Sequence, residues 1–243
     1  MTKDDSVFDP DTLKTSRADL LASGLRGVLG AVPMVGPVVA EITTSLIPNQ
    51  RFDRLGKLFE ALERRVCHLE KSIVRERLTT PERVDLFEDA CWQAARAMSE
   101  ERIEHIANLL VHGIAEEDVK VTEQKFLMSI LGQLSDEEVI LLVWMNMAKK
   151  DEEFERTHAT VVKPPAGHFG STQDALDDET LYESRKEHLR ALGLIRPEFR
   201  RTIKQQVPPI DELTGRLKVA RYDVTRLGRL FLRSILADDQ HGW

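Results

Sequence analysis

The side chains able to carry acid–base or metal chemistry are few and scattered. His105 and His112 stand seven residues apart, a spacing that puts both on one helical face with Glu101 and Glu104 beside them. Imidazoles flanked by carboxylates are the donor types of a transition-metal site, but a solvated helix face presents the same residues. The solvated face is the reading adopted. His168-Phe169-Gly170-Ser171 sets a histidine near a serine without the third group that orients a nucleophile and its base. There is no Cys/His zinc spacing, no glycine-rich phosphate loop after a strand and no Gly-x-Ser-x-Gly elbow. No catalytic residue, metal or cofactor is therefore expected, and the chain reads as non-enzymatic.

Binding chemistry is better represented. From Ser184 to Ser234 there are 13 Lys/Arg against 5 Asp/Glu, a local net of +8, which leaves −15 for the rest of a chain whose total is −7. Arg196, Arg200, Arg201, Lys204, Arg216, Lys218 and Arg221 gather on what reads as a β-ribbon, where alternation puts Arg216, Lys218 and, beyond Ala220, Tyr222 on one face. Such a ribbon has the charge to lie along phosphates or to dock on an acidic partner. The helix before it mixes Glu179, Glu183 and Glu187 with Arg185, Lys186 and Arg190, so docking on the chain's own acidic part or on a partner is favoured over nucleic acid.

The second binding feature is Gly27–Pro48, GVLGAVPMVGPVVAEITTSLIP, with three glycines, three prolines and one charge, Glu41. Its apolar side chains include Val28, Leu29, Val32, Met34, Val35, Val38, Val39 and Ile42. The uninterrupted neutral run, Gly27–Ala40, is 14 residues, too short for a spanning helix and interrupted by Pro33 and Pro37. It reads either as a hairpin in the core of a helical bundle or as a segment that meets membrane lipid conditionally.

The elements that must position these features are helices. Asp9-Pro10 starts the first. Phe52, Leu55, Phe59, Leu62, Val66, Leu69 and Ile73 are spaced 3, 4, 3, 4, 3, 4, an a/d seam over residues 50–77. This seam is buried within one chain or shared between subunits of a homo-oligomer. Thr80-Pro81 restarts the chain, Ser99 caps a further helix that frays at Gly113, and Thr122–Leu134 follows. Ser135-Asp136-Glu137-Glu138 is a capping box before an apolar helix. Residues 159–178 read as a linker. Glu179–Leu192 reads as a helix stopped by Gly193, Phe199–Val207 and Arg216–Val224 as strands, and Thr225 as the cap of a last helix. Cys67 and Cys91 fall at apolar helical positions and read as reduced core thiols, which together with an acidic opening unlike a signal peptide fits a cytoplasmic protein, peripheral at the inner membrane under the lipid reading.

The stretches LRALGLI at 189–195 and YDVTRLGRLFL at 222–232 resemble the closing unit of an uncharacterised bacterial family of helical proteins, and AARAMSEERIEHIANLLVHGIA at 94–115 resembles the helical hairpin before it. The resemblance implies fold rather than activity, and a setting in stress or antiviral defence. The expected architecture is mainly α: a multi-helix body over 9–158, the linker, and a winged-helix-like α+β unit over 179–237. The expected role is that of an oligomerising protein acting at membranes through 27–48, or of a regulator or adaptor binding through the basic unit.

Overall fold

The computed structural model describes residues 48–66, 76–78, 80–115, 121–164, 170–199, 210, 217 and 219–236. Among them the chain is mainly helical, with one small antiparallel two-stranded sheet. The elements are α1 (Pro48–Val66), α2 (Pro81–Arg96), α3 (Glu100–Ala115), α4 (Val121–Gln133), α5 (Asp136–Asn146), α6 (Glu152–Thr157), α7 (Ala159–Val162), α8 (Gln173–Ala191), β1 (Ile195–Phe199), β2 (Val219–Val224) and α9 (Arg226–Ile235). Gly27–Pro48, apart from the Pro48 backbone that opens α1, lies outside the described residues. Two compact units divide the chain, Met1–Gly132 with Ser234–Trp243, and Gln133–Arg233. The expected linker at 159–178 therefore falls inside the second unit.

In the first unit α1, α2 and α3 pack on one another. The heptad positions Leu55, Phe59, Leu62 and Val66 are buried, and so are Leu58 and Ala61 between them. The buried stripe is wider than an a/d seam because two helices cover α1 from adjacent sides. Phe59 and Phe87 of α2 lie with rings parallel to within 3° and centroids 6.2 Å apart. Gly113 does not fray α3. The helix runs on to Ala115, and the glycine marks the closest approach of α2, where a Cβ would sit 2.5 Å from Leu86 Cδ2.

Helix C-termini in this unit are closed by side chains from neighbouring elements, which satisfies carbonyls that have no partner within their own helix. Arg54 donates to Ala95 O at 3.1 Å, Arg83 to Gly113 O and Arg77 to Ile114 O at 2.9 Å, and Arg102 to Leu131 O at 2.7 Å; Gln93 donates to Met128 O, inside α4, at 2.9 Å. A part-buried relay adds to these. Arg65 donates to Glu104 Oε2 at 2.5 Å and to Asn108 Oδ1 at 2.6 Å, and Asn108 Nδ2 donates to Ile235 O at 2.7 Å.

In the second unit the capping box of α5 forms as the sequence predicts, with Glu138 N donating to Ser135 Oγ and Ser135 N to Glu138 Oε2. The second carboxylate oxygen of Glu138 meets His188 Nδ1 of α8 at 2.6 Å, so one buried side chain both caps α5 and ties it to α8. α8 begins at Gln173, six residues before the expected Glu179, because Thr172 Oγ1 accepts from Ala175 N. It ends in a Schellman motif: Gly193 at φ +74° donates to Arg190 O, Leu194 N donates to Leu189 O, and both leucines are buried. β1 starts directly afterwards, at Ile195 rather than Phe199. Thr225 closes the unit. Its amide donates to Leu194 O at 2.9 Å, its hydroxyl to Gly193 O at 2.7 Å, and its Oγ1 accepts from Gly228 N at 3.0 Å.

Two outcomes follow from this packing. A methyl group at Gly228 would lie 2.3 Å from Leu194 O and 2.7 Å from Val224 Cγ1, so Gly228→Ala is expected to cost about 2 to 3 kcal/mol in chemical denaturation; an unchanged midpoint would contradict the close approach of α9 to the Leu194 backbone. Burial raises the pKa of the Glu104 carboxyl, but hydrogen bonds and charge from Arg65 and Arg64 outweigh it and hold the group below the ordinary carboxylate range. Its share of stability is thus present above the unfolded carboxyl pKa of about 4.3 and lost as pH falls through the lower folded value. Thermal melts of Glu104→Gln between neutral pH and pH 3 are expected to show a shallower acid decline than those of the wild type.

Candidate partner-binding groove

The sheet sorts its side chains by chemistry. β1 and β2 pair antiparallel with Ile195 opposite Val224, Arg196 opposite Asp223, Pro197 opposite Tyr222 and Glu198 opposite Arg221. One face is therefore charged and self-compensating. Arg221 Nε lies 3.1 Å from Asp223, its NH2 3.8 Å from Glu198, and Arg196 3.7 Å from Glu198. These pairs are exposed and contribute at most about 1 kcal/mol each. Their consequence is electrostatic, since the two arginines expected to meet phosphates are matched by two carboxylates on the same face. Arg200, Arg201, Lys204, Arg216 and Lys218 lie outside the described residues.

The other face is apolar. The register shifts between Glu198 and Phe199, which faces Val219, so Ala220 is an extra residue on β2. The bulge breaks the alternation expected from Arg216 through Tyr222, and Tyr222 lines one surface with Val219 and Leu217 instead. An isolated bridge between Ile210 and Leu217 extends the pairing outward. Together with Pro197 and Phe199 of β1, and Glu187 and Arg190 of α8, these residues line a groove of about 360 Å³. Phe199 and Leu217 are 39% and 41% exposed, and Ile210 beyond them 56%. Large apolar side chains gathered in this way on a surface mark a contact site more often than an ordinary solvated face.

The helix side of the groove is held by charge and ring contacts. Lys186 Nζ stands 4.4 Å from the Tyr182 ring and 5.2 Å from the Tyr222 ring and pairs with Glu183 at 2.6 Å. Arg190 pairs with Glu187 at 2.8 Å. Burial, reinforced by Glu187 and Glu183, raises the Tyr222 hydroxyl above its ordinary range, so Tyr222 is neutral and available as a donor at physiological pH.

The other expected sites fall elsewhere. Leu55, Phe59, Leu62 and Val66 are covered by α2 and α3 of the same chain, so they are not open as a seam between subunits. Phe52 is half-buried, and Leu69 and Ile73 lie outside the described residues. Val28, Leu29, Val32, Met34, Val35, Val38, Val39 and Ile42 also lie outside them. Among the described residues no helix is long and apolar enough to cross a membrane. Of the histidine pair, His112 Nδ1 lies 2.8 Å from Asn108 O, and Glu104 beside His105 is engaged by Arg64 and Arg65. Burial pushes the Cys91 thiol far up, leaving it protonated; Cys67 lies outside the described residues.

Apart from Glu187, Arg190 and Tyr222, the groove residues escaped the sequence reading because the bulge at Ala220 changes the face count by one. The available signal was the alternation Leu217-x-Val219, which places apolar side chains where a phosphate-binding strand would carry cations. Comparisons with protein-family models, curated proteins and solved structures gave no match.

Proposed function

We propose that this chain is a non-enzymatic adaptor or regulator whose C-terminal unit, a winged-helix-like arrangement of α8, the ribbon and α9, docks a protein partner in the groove between α8 and the ribbon. The observation that carries the reading is the division of the ribbon into a charge-balanced face and an apolar one that opens beside α8. A surface built for the nucleic-acid backbone needs net positive charge, and its binding is salt-dependent; apolar anchors rimmed by charge suit a protein segment. Phe199 and Leu217 are exposed, so Phe199→Asp with Leu217→Asp is expected to preserve the fold and abolish partner retention. The measurement is capture from native cells with wild type and variant side by side. A defined protein lost from the variant supports the reading; identical retention by both, or salt-sensitive retention of DNA by both, sinks it.

A second reading is favoured by a separate observation, the single charge in the 22 residues Gly27–Pro48. In it the protein acts conditionally at a membrane, as an effector in bacterial stress or antiviral defence, the setting that the family resemblance suggests. Flotation with anionic liposomes tests it. Wild type is expected to float and Val35→Asp or Val39→Asp, still folded, to remain below; wild type that never floats would remove this reading.

A further inference from the structure

The second unit, Gln133–Arg233, is electrically balanced but unevenly so. It holds 17 Asp/Glu and 17 Lys/Arg, of which 13 acidic and 6 basic stand at or before Glu187 and 4 acidic and 11 basic after it. Many of these charges are matched locally, as Lys163 is with Glu155, Arg190 with Glu187 and Arg221 with Glu198. Two helix faces present theirs to the surface. On α9, Arg226, Arg229 and Arg233 are exposed and spaced 3 and 4, which aligns them along one face. The bond that Arg229 makes is to a neutral group, Val224 O, at 2.8 Å. On α8, Asp174 and Asp177 are exposed, and Leu181, at the next step of the same 3, 4 spacing, is 51% exposed. Asp177 likewise accepts from a neutral group, Gln173 Nε2, at 2.8 Å. These residues are distinct from the described residues that line the groove.

The two faces agree in length and oppose in sign. Each runs over about 10.5 Å of helix at 1.5 Å per residue. Like charges three and four residues apart on one helix repel, and an opposing row of the other sign relieves that repulsion. Arginine against carboxylate adds charge-assisted hydrogen bonds, and a leucine in the contact excludes water. We propose that these faces dock on each other between copies of this chain, the arginine face of α9 in one copy meeting the Asp174–Asp177–Leu181 face of α8 in the next. A polyanion would suit the arginines alone, but the acidic face and the equal numbers of the two signs in this unit favour a second copy. The contact joins two different surfaces, so it extends from copy to copy until it closes a ring or forms an open row. It uses neither the groove nor the seam of α1.

The test is sedimentation velocity of the full chain over a range of protein concentrations. Wild type is expected to self-associate at low salt and to dissociate as added salt shortens the screening length. Asp174→Arg with Asp177→Arg makes both faces basic, and Arg226→Glu with Arg233→Glu makes both acidic. Each variant alone is expected to stay monomeric. An equimolar mixture of the two is expected to associate, because the basic α9 of one variant meets the acidic α8 of the other. If a thermal melt shows the reversals unstable, Asp174→Asn with Asp177→Asn keeps the side-chain shapes and is expected to weaken association about tenfold, the contribution of two exposed ion pairs. A wild type that stays monomeric throughout, association that neither variant alters, or a mixture of folded variants that stays monomeric overturns the proposal. A monomeric wild type that binds duplex DNA through Arg226 and Arg233 overturns it as well and assigns the arginine face to nucleic acid.

Discussion

The apolar face of α1 is the surface on which the first unit is assembled. Leu55, Leu58, Phe59 and Leu62 are wholly or almost wholly withdrawn from water, and each such side chain contributes about 2 kcal/mol relative to exposure. Two helices are needed to cover a stripe that wide, and the positions of α2 and α3 follow from it. Once those helices are close, their C-terminal carbonyls come within reach of long side chains on neighbouring elements. Arg54, Arg77, Arg83 and Arg102 then serve as caps, and Arg65, Asn108 and Glu104 as a part-buried relay. Much of the basic character of this unit is thereby committed to the fold.

The second unit rests on small features with several partners each. Glu138 joins α5 to α8 through His188 while completing the capping box. Gly193 ends α8 with the chain aimed directly into β1, and Thr225 holds that corner by three hydrogen bonds. Gly228 lets α9 approach the Leu194 backbone. The groove depends on this corner, since α8 and the ribbon are fixed to each other there. Glu198 and Asp223 compensate Arg196 and Arg221 on the charged face of the ribbon.

Helix starts and stops were legible because their chemistry is local. Ser135 with Glu138, Gly193 with Arg190, and Thr225 with Gly228 each act on groups within a few residues. The seam of α1 was legible as a period, but the period does not say whether its cover comes from the same chain or from another. Gly113 was misread because a glycine at a helix crossing and one at a frayed end look alike until the neighbouring helix, here Leu86, is in place. The second strand was legible through Val224, whereas the face it presents was not, because one bulged residue at Ala220 reverses the alternation. The partners of Glu138 and Asn108 are 50 and 127 residues away, beyond any local pattern.

The central claim is that the α1 seam is closed within one chain, which turns attention from self-association through that seam to the groove. Isotope-filtered NOE spectra on a mixture of labelled and unlabelled protein test it through the Phe59–Phe87 ring pair, whose centroids are 6.2 Å apart. The contact is expected between protons of the same labelled chain, with no cross-peak between labelled and unlabelled chains. A Phe59–Phe87 cross-peak found only between chains would show that the seam is shared between subunits and would contradict the account.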